Sequence, residues 1–110
     1  MKTADDMAGL FAALGHPSRV AIVRLLLAAH PEGLVVSEIQ SELELAGSTL
    51  SHHLDAMRQV GLIDVSREGR YLRYRAGTSR LQSMLSFLYA ECCSRQPRVP
   101  ISLPESTNRA

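Results

Sequence analysis

A chain of 110 residues with 45% apolar and 21% charged side chains has length for one modest core and the balance of an ordinary globular protein. Its net charge of +1 points to no partner class, and its two cysteines, Cys92 and Cys93, exclude a disulfide framework, because neighbouring Cα atoms ~3.8 Å apart fall below the usual ~4.4–6.8 Å of bridged pairs. MKTADDMAGL sets two aspartates where a signal's apolar run should begin, and VAIVRLLLAA is short and broken by Arg24, so a reduced, cytoplasmic protein with no membrane partner is expected.

Met7, Leu10, Phe11 and Leu14 recur at helical spacing behind Asp5 and Asp6, which predicts a first helix. Gly15 and Pro17 punctuate, and residues 18–29 predict a second helix with Val20, Ile22, Val23, Leu26 and Leu27 inward. HPEGL reads as a loop, and Ser37 is expected to cap a short third helix with Glu38 in its first turn. After ELAG, residues 48–60 predict a fourth helix, apolar through Leu50, Leu54 and Met57 and ended by Gly61. LIDVS and YLRYR alternate about REGR, predicting a β-hairpin with Glu68-Gly69 at its turn. Thr78 or Ser79 then caps a last helix with Leu81, Met84, Leu85, Leu88 and Cys92 on one stripe. Pro97 disfavours helix at Gln96, so this helix should end near the cysteines. Residues 1–95 are expected to form one domain and 96–110, with three prolines, a flexible tail.

This order gives an α+β, mainly α fold: a helix-turn-helix followed directly by an arginine-bearing hairpin, the winged-helix arrangement. The charge distribution agrees. Residues 1–47 hold three basic side chains against six acids, whereas residues 48–80 hold six arginines against three acids. Arginines gathered on one element suit a phosphate-contacting surface, although a solvated face has the same composition. On the fourth helix, inward Leu50, Leu54 and Met57 leave Ser48, Thr49, Ser51, His52 and Asp55 outward. Short polar groups there can reach base edges and phosphates. His53 reads as a packed, hydrogen-bonded histidine at the helix seam. In the hairpin, Arg67, Arg70, Arg73 and Arg75 cannot all face one way, because strand residues alternate sides. Arg73 and Arg75 share a face with Tyr71, Arg70 near the turn is the best single backbone contact, and Tyr71 and Tyr74 are expected to pack the hairpin.

ALGHPSRVAIVRLL, STLSHHLDAMRQVGLI and REGRYLRYR, in this order and spacing, resemble the ArsR/SmtB family of small bacterial repressors over roughly residues 10–93. The resemblance implies a homodimer paired largely through the first and last helices, bound to an inverted-repeat operator until a metal or metalloid releases it. It also implies that Ser48, Ser51 and His52 occupy DNA-contacting positions. One departure stands out: relatives often carry a serine cap and a glutamine where this chain has Ala46 and Gly47. The expected DNA-facing set is Ser48, Thr49, Ser51, His52, Arg67, Arg70, Arg73 and Arg75.

Two sensor sites of that family are missing. Where the arsenic type places cysteines, this chain has Val35, Ser37 and Gln40. Where the zinc type needs Asp, His and Glu ligands on the last helix, there is no histidine, and Glu91 has no partner at helical spacing. Cys92 and Cys93 remain as soft ligands, and some arsenic-responsive relatives carry such a pair, usually with a third cysteine that is absent here. Cys92 alone could simply extend the apolar stripe. Cys93 lies ~100° further round the helix, off that stripe, and thiolates select thiophilic ions. Inorganic trivalent arsenic or antimony prefers three sulfurs, whereas a methyl- or phenylarsenical already has one carbon bound and needs two. Zinc wants four ligands and would have to recruit His16 or His30 across a dimer. The expectation is a repressor that needs no cofactor to bind DNA and takes trivalent arsenic or antimony as inducer, organoarsenicals being favoured. Two rivals stay open: the same repressor with oxidation-sensing thiols, and a thiol-dependent enzyme or metalloid carrier. The second lacks a Gly-rich phosphate loop and an acid/base constellation, so a non-enzyme is expected.

Overall fold

Thr3 starts the first helix by a reciprocal cap, its hydroxyl accepting the Asp6 amide at 3.2 Å while the Asp6 carboxylate accepts the Thr3 amide at 3.4 Å. The computed structural model describes residues 3–95, and the expected tail at 96–110 lies outside the described residues. The elements are α1 (Ala4–Leu14), α2 (Pro17–Ala28), β1 (Leu34–Val35), α3 (Val36–Leu43), α4 (Gly47–Gln59), β2 (Ile63–Glu68), β3 (Tyr71–Ala76) and α5 (Thr78–Tyr89). The winged helix-turn-helix read from the sequence is the fold observed.

Several boundaries differ for local reasons. α2 opens on Pro17, and His16 caps it, Nδ1 accepting the Ser18 amide at 3.2 Å. Ser37 does not cap α3; it lies inside that helix, and Glu38 reaches back to accept the Val35 amide at 3.0 Å. The chain stays extended through Val35 because β1, which alternation did not reveal, pairs antiparallel with β3, Leu34 opposite Tyr74 and Val35 opposite Arg73. The sheet order is β1-β3-β2. Gly33 makes the close approach possible: its φ is +79°, and a Cβ there would run into the Tyr74 carbonyl. In the hairpin Glu68 pairs with Tyr71, so the turn residues are Gly69 and Arg70 rather than Glu68 and Gly69. Neither Thr78 nor Ser79 caps α5, whose N-cap position is Gly77.

The core joins Met7 and Leu10 of α1, Ile22, Val23 and Leu26 of α2, Ile39 of α3, Leu50, Leu54 and Met57 of α4, Leu62, Ile63, Ala76 and Met84. Each of the Leu, Ile, Val and Met side chains contributes about 1.5–3 kcal/mol on burial. Val20 and Leu27, expected inward, are 41% and 43% exposed. They border an apolar concavity with Phe11, Leu14, Leu81 and Leu85. One helix can turn only one stripe to its own core, and the second stripe of α2 faces out beside α1 and α5.

Candidate nucleic-acid interface and cysteine pair

α4 turns Leu50, Leu54 and Met57 into the core and carries Ser48, Thr49, Ser51, His52 and Asp55 on its exposed side. Its N-cap, Ala46, offers no side-chain acceptor to the first-turn amides. Behind the exposed face, His53 is buried and its Nδ1 accepts a hydrogen bond from Arg19 Nε at 2.9 Å. Arg19 also donates from Nη1 to the Ala13 carbonyl at 3.0 Å, and the His16 ring stands 4.6 Å from that of His53. Burial, followed by the neighbouring His16 and Arg19, pushes the His53 pKa below the usual imidazole value. The packed, bonded histidine expected at this seam is what is found. Asp55 is bound by its own helix: Arg58 Nη2 donates to Oδ1 at 2.7 Å and Gln59 Nε2 to Oδ2 at 3.3 Å. The Arg58 hydrogen bond holds its carboxyl below the ordinary range.

The four wing arginines divide into two groups. Arg67 and Arg70 are exposed near the turn, Arg67 reaching the Gly69 carbonyl at 3.5 Å. Arg73 and Arg75 are half-buried and gathered around Glu68. Arg73 Nε lies 2.8 Å from Glu68 Oε1 and Nη1 donates to the Gly33 carbonyl at 3.3 Å. Arg75 donates to the Pro31 carbonyl at 3.1 Å and to Ser66 Oγ at 2.8 Å, with Glu68 Oε2 at 3.5 Å. These two arginines fasten the wing to the loop before β1. The hydrogen bond from Arg73 depresses the Glu68 pKa and raises that of Arg73 in return. Sequence reasoning missed Glu68 as their common acceptor; its place one cross-strand diagonal from Arg73 was the available signal. Tyr74 is half-buried against the core, but Tyr71, expected to pack the hairpin, is 58% exposed.

The cysteines lie past the end of α5, where the chain continues in turns, the Cys92 amide bonding the Tyr89 carbonyl at 2.8 Å and the Ser94 amide that of Glu91 at 3.2 Å. Cys92 therefore does not extend a buried stripe: it is exposed, as are Leu85 and Leu88 before it, and Cys93 is half-buried. Successive side chains ordinarily diverge. Here Cys93 has φ +64°, and the two sulfurs sit 2.9 Å apart. The hydrogen bond with Cys93 raises the Cys92 thiol pKa. Among the described residues, no three His, Cys, Asp or Glu side chains gather as a metal site. No single helix among them is long and apolar enough to cross a membrane.

Residues 14–66 match the helix-turn-helix domain family. Over 84 residues the chain is 31% identical to the transcriptional activator HlyU of Vibrio cholerae, covering 76% of this chain and 75% of that one. Over 93 residues it is 29% identical to a biofilm growth-associated repressor of Agrobacterium fabrum, covering 84% and 77%. It superposes on an ArsR-like transcriptional regulator from Rhodococcus sp. RHA1 with TM-score 0.70 and 26% identity over 86% of each chain. These relatives are transcription regulators. On this likeness in sequence and in fold, the chain belongs to the ArsR family of winged-helix transcription regulators.

Proposed function

We propose that the protein is a cytoplasmic, homodimeric repressor that holds an inverted-repeat operator and is released when a trivalent arsenical binds Cys92 and Cys93. DNA would meet Ser48, Thr49, Ser51 and His52 on α4, with Arg67 and Arg70 on the flanking backbone, while Arg73 and Arg75, bonded to Glu68 and the loop carbonyls, brace the base of the wing. The amides at the start of α4, which the Ala46 side chain does not cap, suit a phosphate oxygen. Two protomers would pair through α1 and α5, covering Val20, Leu27 and Leu85, which one protomer leaves exposed.

The observation that carries the inducer reading is the sulfur pair, 2.9 Å apart and partly open to solvent beyond α5. In the proposed step each thiol proton passes to an arsenic-bound hydroxyl, two sulfur–arsenic bonds form, and two waters leave. A monosubstituted arsenical is then complete with two sulfurs, whereas arsenite keeps one oxygen ligand. Antimonite belongs to the same class. Binding draws the turn after Tyr89 around one centre and so shifts α5 within the dimer seam, changing the spacing of the two α4 helices. Release depends on how differently the ligand binds the two dimer states. Oxidation of the same pair is the second reading, and reversal by a reductant alone would distinguish it from arsenical binding.

The test is fluorescence anisotropy of labelled operator, taken from a randomised duplex selection and titrated with arsenite, antimonite, phenylarsenite and zinc under reducing conditions. Release by phenylarsenite at the lowest concentration is expected. Equal release of a double serine variant would overturn the sensor, and release by mild oxidant with rescue by dithiol would replace it with the redox reading.

A further inference from the structure

Asp55 is the one acid on α4, and a carboxylate is an odd group to aim at a polyanion. It stands seven residues after Ser48 and three after His52, so it shares their exposed side, about 10 Å along the axis from Ser48. That span fits within a major groove about 12 Å wide. The carboxylate's charge is already balanced: Arg58 lies 2.7 Å from Oδ1, and Gln59 holds Oδ2 at 3.3 Å. Two donors from the following turn thus fix its orientation and offset its repulsion from phosphate. A carboxylate has about four lone-pair positions, and these two bonds leave room for further donors. The group presented outward is an oriented, acceptor-only carboxylate in a locally neutral setting.

We infer that Asp55 is a specificity-determining residue of the DNA interface, accepting a hydrogen bond from the exocyclic amino group of a cytosine in each half-site. Among base edges in the major groove, cytosine presents a donor at N4, and carboxylates pair with it there, whereas guanine offers only acceptors and repels a carboxylate. Arg58 and Gln59 are positioning residues, since they act through Asp55. The inference rests on the reading of α4 as the DNA-facing helix.

The experiment is selection and sequencing from a randomised duplex library with the full chain, the wild type beside Asp55→Ala and Asp55→Asn, each checked for folding by its thermal melt. The wild type should recover an inverted repeat with cytosine dominant at one position per half-site. Asp55→Ala should lose that preference by on the order of tenfold at that position, leaving the others intact. Asp55→Asn gains a donor beside its acceptor, and adenine, with N6 and N7, should replace cytosine there. Identical recovered sequences for all three proteins would overturn the inference alone, as would a uniform change in affinity across sequences, which would make Asp55 a charge effect. A wild type that recovers no common sequence would overturn the DNA-facing assignment of α4 and this inference with it.

Discussion

Arg19 Nε donates to His53 Nδ1 across 2.9 Å, and the same guanidinium bonds the Ala13 carbonyl at the end of α1. One side chain of α2 thereby ties the first helix to the buried side of α4, the helix proposed to face DNA. The bond requires an unprotonated Nδ1.

A dependence of stability on pH follows. The folded His53 pKa lies below its unfolded value of ~6.5, so the unfolded chain binds the extra proton more readily. Stability from this group is complete above about pH 6.5 and is lost as pH falls from there toward the folded value. Thermal melts at pH 7.5 and 5.5 should show a lower Tm at the acid pH, and His53→Gln should flatten the difference. His53→Ala should cost about 1–3 kcal/mol, because Arg19 loses its buried acceptor.

The split among wing arginines predicts opposite salt responses. Arg70→Ala should weaken binding to all sequences and reduce the slope of log Kobs against log salt by about 0.9 per protomer. Glu68→Gln unpairs Arg73 and Arg75, and should raise affinity for unrelated DNA and steepen that slope. Titrations on unrelated duplex between 50 and 200 mM salt, on the order used for such slopes, separate the two. An unchanged slope for Glu68→Gln would mean the clamp persists without the charge.

Cys92→Ser and Cys93→Ser should each keep operator affinity near the wild type and each lose release by arsenicals, since one thiolate cannot chelate. Because attack proceeds through thiolate and the Cys92 thiol is raised, the rate of release by phenylarsenite should keep climbing with pH past the ordinary thiol value of ~8.5. A rate that levels off near neutrality would place a lower-pKa thiol in the reaction.

The exposed apolar stripe predicts the oligomer. Leu27→Glu and Leu85→Glu set charges among Val20, Leu81 and Phe11 and should give a monomer by sedimentation, with operator affinity reduced at least tenfold. A dimer that survives both changes would move the interface elsewhere.

Helix positions were legible in the chain because they arise from contacts three and four residues apart: Met7 with Leu10, Leu50 with Leu54 and Met57. The hairpin was legible because alternation is equally local. From the same patterns came the outward set Ser48, Thr49, Ser51, His52 and Asp55 and the buried partner His53. Other features depend on what lies across space. Leu34 and Val35 form a strand only because β3 runs beside them, and that pairing displaced Ser37 from the cap. Arg73 and Arg75 meet the loop carbonyls of Gly33 and Pro31 from about forty residues away in sequence, a juxtaposition no periodicity encodes. Val20 and Leu27 carry the same hydrophobic signal as Ile22 and Leu26, and only the packing of α1 and α5 decides which stripe of α2 is left for another surface. The cysteines show the same division. Their adjacency is sequence, but a left-handed turn at Cys93 brings the two sulfurs together, because consecutive side chains converge only when the backbone between them departs from helix.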